Sequence, residues 1–227
     1  MYFYTKVSWN ETDKMLSAEF EPAIWSDEII CEIQDGVIKR NTKNETLVER
    51  DQFEICNHKF STIINDGYTF TLLNDSKYGL RAKDGKLSLN LLRSPTFPDE
   101  SADKCEHEFI YAILPHRDNE LINSVRSAHN LNRLPLVYRA DYAMERLVKL
   151  SNSSLVCDCI KVSEDKKEGI VVRIYEPCGN SVTTILAVYF SYKRVFECIL
   201  IEGNRKDVDL NKLSFSPCEI KTLYFEI

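Results

Sequence analysis

Residues of like polarity recur at every second position through much of this chain. Lys86-Leu87-Ser88-Leu89-Asn90-Leu91 alternates strictly and places its leucines on one face of a strand. Tyr68-Thr69-Phe70-Thr71-Leu72-Leu73 is a β-branched and aromatic run, opened by Asp66-Gly67 and closed by Asn74-Asp75. Asp84-Gly85 lies between a strand at residues 78–82 and the leucine strand, where it signals a two-residue hairpin turn. Further strands are expected at residues 53–59, 109–114, 155–162, 169–175, 183–190, 194–201 and 223–227. Turn residues at Asp35-Gly36, Cys178-Gly179-Asn180 and Glu202-Gly203-Asn204 punctuate them. Short strands with turns at roughly 8–12 residue spacing indicate an antiparallel β-sandwich or barrel.

One segment departs from this period. Residues 118–131 place Leu121, Ile122, Val125, Ala128 and His129 near one face of a helix, and Pro135 ends it. With the polar Ser151-Asn152-Ser153-Ser154 this forms a natural joint. The expected organisation is a large β-sandwich at residues 1–145 and a small terminal β-sandwich at residues 150–227. The charge run Glu164 to Glu168 reads as a solvated hairpin tip.

Composition narrows the classes. The 227 residues suffice for a core without disulfides or a structural metal. Gly 7 and Pro 7 exclude collagen and Gly-rich linkers. The longest apolar runs, such as residues 185–190, are far short of the ~20 residues of a membrane-spanning helix. A net charge of -6 argues against a nucleic-acid partner, because phosphate binding requires a basic stripe. No signal peptide is read in the first stretch, which carries Lys6, Glu11, Asp13 and Lys14. The eight cysteines are therefore read as reduced thiols of a cytoplasmic protein. Sequons at Asn10, Asn44, Asn74 and Asn152 would matter only in a secreted chain. An upstream signal would make the compartment vacuolar, lysosomal or extracellular.

There is no Gly-rich phosphate loop, H-E-x-x-H, Cys-x-x-Cys or G-x-S-x-G. Cys56-x-His58 and Cys105-x-His107 each place two soft ligands on one face of a strand, and neighbouring strands would bring them together as a zinc site. Buried cysteines and satisfied histidines are the plainer reading, and no metal site is assigned. Cys157-x-Cys159 shares the spacing and reads as core packing. The turn Asn74-Asp75-Ser76-Lys77-Tyr78-Gly79 carries more chemistry than a hairpin needs. Sugar hydroxyls call for carboxylate acceptors, amide donors and an aromatic face. Asn74, Asp75, Lys77 and Tyr78, with Arg93 and Asp99 behind them, supply these. The competing reading is a turn whose Asn74 and Asp75 cap their own backbone.

These residues carry a resemblance. Leu72-Leu73-Asn74-Asp75-Ser76-Lys77-Tyr78-Gly79 resembles the ALLNDCKYG block of glycoside hydrolase family 38, the retaining α-mannosidases. In the same order, Trp9 to Leu16 resembles WHERHKLL, Glu32 to Gly36 resembles EIQFG, and Phe53 to Phe60 resembles FEVCAHRW. Leu89 to Asp99 resembles LSLLRAPTSPD, and His107 to His116 resembles HEFTYALLPH. Arg173-Ile174-Tyr175-Glu176 and Glu219-Ile220-Lys221-Thr222 resemble RLYE and EIKT. The family's RPTHRNTSWD stretch is degraded here at residues 40–49, without its aromatic and histidine.

The resemblance implies part of a galactose-mutarotase-like supersandwich followed by a small sandwich. It implies a partner, the catalytic α/β barrel of the parent enzyme. That barrel would hold zinc, an aspartate nucleophile and an acid/base aspartate. No catalytic residue and no cofactor is assigned to this chain. The expected role is a non-catalytic region that supports the barrel, with the 74–78 loop at the rim of a cleft for mannose-containing glycans. The alternative is a free-standing carbohydrate-binding or scaffold module.

Overall fold

In the computed structural model, which describes residues 1–143, 145–164 and 169–227, the strands of the first part are β1 (Tyr2–Ser8), β2 (Met15–Phe20), β3 (Glu28–Ile33) and β4 (Gly36–Asn41). A short helix α1 (Leu47–Asp51) precedes β5 (Ile55–Cys56), β6 (Phe60–Asn65), β7 (Tyr68–Asn74), β8 (Gly79–Lys83), β9 (Lys86–Arg93) and β10 (Glu106–His116). Helix α2 (Leu121–Asn132) follows. Two of the three Asp-Gly pairs make the tight turns that alternation requires. Asp66 (φ 49°) and Gly67 (φ 78°) join β6 to β7, and Asp84 (φ 55°) and Gly85 (φ 77°) join β8 to β9. Positive φ at both central positions matches the right-handed twist of the flanking strands.

These strands form two antiparallel sheets, β1-β10-β7-β6-β3-β4 and β2-β9-β8-β5. Inward residues of both meet in one core, with Ile29, Ile63 and Leu72 from the first sheet and Leu80, Leu87 and Leu89 from the second. Leu87 and Leu89 alternate with Ser88 and Asn90 as expected, but most of β9 is buried, and a register shift at Leu91 against β2 brings both Leu91 and Leu92 into the core. Helix α2 covers β6 and β7 on the other face through hydroxyls: Thr62 Oγ1 and Thr71 Oγ1 are 2.9 Å apart, and Thr71 Oγ1 and Ser124 Oγ 2.6 Å. The helix starts three residues later than its pattern, because Asp118 Oδ1 accepts the Glu120 N–H (2.9 Å) in the preceding turn.

The remaining strands are β11 (Val148–Leu150), β12 (Val156–Val162), β13 (Gly169–Tyr175), β14 (Val182–Thr184), β15 (Leu186–Val188), β16 (Arg194–Cys198), β17 (Lys206–Asp207), β18 (Leu213–Phe215) and β19 (Ile220–Glu226). A five-stranded sheet β12-β13-β19-β16-β17 and the pairs β11-β15 and β14-β18 enclose a second core around Val172, Ile174, Leu213, Phe215, Leu223 and Phe225. By contact the chain divides into two compact units: Met1–Gln34 with Ile38–Pro135, and Asp35–Val37 with Leu136–Ile227. Among the described residues no helix is long and apolar enough to cross a membrane.

Several expected strands are redrawn. Residues 53–59 shrink to Ile55–Cys56, because the Asn57 backbone and side-chain N–H groups both turn to the Tyr78 carbonyl, at 2.9 and 3.0 Å. Residues 183–190 split at Ile185, whose N–H and C=O are both taken by Ser151. Asp158 bulges out of β12, so Cys157 and Cys159 do not share a face in the ladder. The expected hairpin tip at Glu164 to Glu168 lies outside the described residues beyond Glu164.

Candidate functional site

Four residues connect β7 to β8, and a buried asparagine beneath them fixes their course. Asn74 is 1% exposed. Its amide nitrogen donates to the His58 carbonyl (2.7 Å) and to Asn57 Oδ1 (3.1 Å), and its amide oxygen accepts the Lys77 N–H (2.7 Å). Asn132 of α2 donates to the Asn74 carbonyl at 3.0 Å. Asp75 clamps the turn to β10, since its N–H donates to the Ile110 carbonyl (3.1 Å) and its Oδ2 accepts the Ile110 N–H (2.8 Å). Asp75 Oδ1 also accepts the Ser76 hydroxyl at 2.9 Å. A buried polar group without a partner is costly, so these bonds fix the turn in one form. Gly79 closes it where a Cβ would stand 2.9 Å from Asn90 Nδ2.

The turn sends Lys77 and Tyr78 the other way. Lys77 Nζ lies 4.4 Å from the centroid of the Phe109 ring. The Tyr78 ring is 51% exposed and packs 5.2 Å from the His58 ring. Lys77, Tyr78, Asn90, Arg93, Asp103 and His107 line an open depression of about 440 Å³, together with Glu54 and neighbouring backbone. Arg93 also borders a second depression, of about 550 Å³, formed over Pro95, Thr96 and Phe97. Neither the Lys77 ammonium nor the Arg93 guanidinium meets a carboxylate among the described residues. The Arg93 N–H donates to Asp103 Oδ2 at 3.1 Å, which ties the strand end to the far wall.

Of the six residues singled out from sequence, Lys77, Tyr78 and Arg93 come together on this depression. Asn74 and Asp75 lie under it as its framework, with the first side chain out of contact with solvent. Asp99 lines neither depression. Its Oδ1 accepts the Ser101 hydroxyl (2.7 Å) and N–H (2.8 Å), and these bonds hold the carboxyl below its usual range. Sequence reasoning did not connect Asn90, Asp103 and Glu54 to the site. Asp103 holds a left-handed turn at φ 62°, a conformation that aspartate tolerates but that its local sequence does not announce. The buried Asn74 is also one of the four sequons, and its amide is already spent.

The Cys-x-His pairs do not meet. β5 carries Cys56 at the edge of the four-stranded sheet, whereas Cys105 precedes β10 of the six-stranded one. Cys105 Sγ lies 3.4 Å from His107 Nε2, and that nitrogen is 2.8 Å from the Asp103 carbonyl. Among the described residues no group of three or more His, Cys, Asp or Glu side chains could hold a metal ion. None of the eight cysteines is in a disulfide. Burial pushes the Cys157 thiol up to about 11.

Residues 1–101 match the model of the "Glycosyl hydrolases family 38 C-terminal domain", and residues 154–223 that of the "Glycosyl hydrolases family 38 C-terminal beta sandwich domain". The chain is 31% identical to alpha-mannosidase 2C1 of Homo sapiens over 234 residues, covering 97% of this chain and 22% of the relative. It is 31% identical over 238 residues to alpha-mannosidase G of Dictyostelium discoideum, covering 98% of this chain and 22% of that protein. The chain thus spans about a fifth of the length of the curated relatives it matches. A solved alpha-mannosidase from Enterococcus faecalis V583 superposes with a TM-score of 0.83 at 15% identity, over 99% of this chain and 27% of that one. That likeness bears on the fold.

Proposed function

The chain belongs to glycoside hydrolase family 38, whose C-terminal region it represents, and from that premise we propose that it is a non-catalytic β-region of a retaining α-mannosidase-like enzyme. It supports the catalytic α/β barrel and lends the 74–78 turn to the rim of a cleft for mannose-containing glycans. In this reading the barrel holds the zinc and the reacting carboxylates. Among the described residues no cluster of His, Cys, Asp or Glu fits a zinc ion. In this reading the eight cysteines are reduced thiols of a cytoplasmic protein.

One observation carries the rim assignment. Buried Asn74 and half-buried Asp75, both hydrogen-bonded into the fold, present Lys77 and half-exposed Tyr78 to a depression shared with Arg93. Rigid support beneath an open aromatic and two cations that meet no carboxylate among the described residues suits recognition of hydroxyl-rich ligands. The exposed Tyr78 ring also favours a second reading, a free-standing carbohydrate-binding module. One experiment serves both. The purified chain is given an aryl α-mannoside with added zinc, then titrated with mannosides. Absence of turnover is expected, and turnover above buffer would refute the non-catalytic role. Saturable binding by the isolated chain, lost in Tyr78→Ala, would favour the module.

A further inference from the structure

The outward positions of β1 carry aromatic rings that the core does not use. Along the strand, exposed residues alternate with half-buried ones. Val7 packs on the first core, and Phe3 stacks on Tyr111 with ring centroids 4.9 Å apart, so the odd residues face inward. Tyr2, Tyr4 and Lys6 share the outer face of the sheet. Tyr2 and Tyr4 are 50% and 77% exposed. Their ring centroids lie 6.4 Å apart with the planes at 26°, so Tyr2 backs one face of Tyr4 and holds its plane.

The other face of Tyr4 fronts a hollow of about 320 Å³ that Tyr2 does not line. Register explains its shape. Tyr4 stands opposite Ile110 and Lys6 opposite Glu108, and the ladder between these two pairs is the floor. Lys6 Nζ meets Glu108 Oε1 at 2.9 Å. That hydrogen bond lowers the carboxyl and raises the ammonium from their ordinary values, so both stay charged at neutral pH. Asp75 closes the far end. Its Oδ2 accepts the Ile110 N–H (2.8 Å) and its Oδ1 the Ser76 hydroxyl (2.9 Å), which fixes the carboxylate and still leaves it lone pairs to offer.

We propose that this hollow binds one pyranose residue of a glycan, stacked on the open face of Tyr4. Three features select that ligand. A pyranose carries C–H groups on one face, and the negative face of an aromatic ring attracts their partial positive charge. Its hydroxyls donate and accept: Lys6 and the Tyr4 hydroxyl supply donors, and Glu108 and Asp75 supply acceptors. The volume stands at the small end for ligand sites, the scale of a single ring. A cation is the weaker occupant, because Glu108 already holds the Lys6 ammonium and Asp75 already accepts two bonds. The proposal goes beyond the rim assignment. The hollow and the Tyr78 depression have no lining residue in common, so either can fail alone.

The test titrates methyl α-mannoside into the full chain, isotopically labelled, and follows its backbone amide resonances. Saturable shifts are expected together at Tyr4, Lys6, Glu108 and Ile110, with a dissociation constant in the millimolar range for so small and open a site. Tyr4→Ala is expected to weaken binding about tenfold, and Tyr4→Phe, which keeps the aromatic face, to stay within about twofold. Saturation transfer from aromatic protons to the ring protons of the sugar is the companion measurement. It is made on the parent chain and stands should Tyr4→Ala disturb β1. Absence of shifts at these four amides up to the solubility of the sugar would overturn the proposal, as would equal affinity in Tyr4→Ala. Shifts confined to Tyr78, Asn90 and His107 would favour the rim reading and overturn this one. A response to tetramethylammonium but not to the mannoside would reassign the hollow to cations and overturn the proposal.

Discussion

The turn at residues 74–79 in the first unit and the turn at residues 176–180 in the second meet the same need with different side chains. Each leaves backbone N–H groups pointing inward, and each buries one polar side chain to receive them. Asn74 gives and accepts, binding one N–H, one carbonyl and one amide oxygen. Glu176, 0% exposed, only accepts: Oε1 takes the Cys178 N–H (3.0 Å), and Oε2 takes those of Gly179 (2.7 Å), Asn180 (2.9 Å) and Cys218 (3.1 Å). The amide leaves its turn free to show Lys77 and Tyr78 to an open depression. The carboxylate gathers its loop and the Cys218 turn around itself. A buried polar residue in a turn is thus a fold device in both, and function is argued from what the turn presents outward.

The largest effect expected from this comparison is at Glu176. Hydrogen bonds to a charged acceptor are each worth about 1.5–3 kcal/mol, and a buried donor left unmet adds its own cost. Glu176→Leu strands four N–H groups and is expected to destabilise the second unit by at least ~4 kcal/mol. Glu176→Gln can keep a carbonyl oxygen where Oε2 sits, giving up chiefly the Cys178 bond and the charge. About half that loss is expected for it. Urea unfolding of the two variants measures both. A Leu variant within ~1 kcal/mol of the parent would break the comparison, since the carboxylate would then not be organising the loop.

Asn74→Ala comes next. It unmakes three neutral bonds under the turn and is expected to cost about 2–3 kcal/mol. Lys77→Ala should stay within ~0.5 kcal/mol, because its Nζ only overlies the Phe109 ring. Equal losses from the two variants would mean that the outward side chain is also framework. The rim reading would then lose its physical basis.

The same contrast explains what could be read from sequence. Alternation at residues 86–90 and the Asp-Gly hairpins are legible because leucines and polar residues take opposite faces there, although Ser88 on the polar face is itself buried. β6 was not read as a strand, although it is wholly buried over Phe60–Ile63. Its Ser61 and Thr62 are polar yet enclosed, with Thr62 bonded to Thr71, which in turn meets Ser124 of α2. Binary patterning fails where a helix packs on hydroxyls. In the site, Lys77, Tyr78 and Arg93 were legible as chemistry that a turn does not need. Asn90, Asp103 and Glu54 reach the depression only through pairings across sheets and loops, which no local window contains. The run ending at Glu176 resembles RLYE, but the role of its acid depends on Cys218, 42 residues away.

The smallest effect sharpens the comparison from the exposed side. Glu49 is an open version of the Glu176 device. Its Oε2 accepts the Thr46 and Glu45 N–H groups (2.9 and 3.0 Å), its Oε1 accepts a bond from Asn41 Nδ2 (2.6 Å), and Thr46 Oγ1 in turn accepts the Glu49 N–H (3.2 Å). The Thr46 backbone bond, then the Asn41 amide, hold the carboxyl down from 4.5 to about 2. A carboxyl depressed on folding stabilises above its unfolded value, and that contribution is lost as pH falls from about 4.5 through about 2. The group is at the surface, so global stability should scarcely change. Instead, the amide resonances of Thr46 and Glu45 should titrate with a midpoint near 2, and Glu49→Gln should abolish that titration. A midpoint near 4.5 would show that the capping box does not hold its carboxylate in solution. The capture of backbone N–H groups by an acid would then be confined to the buried case.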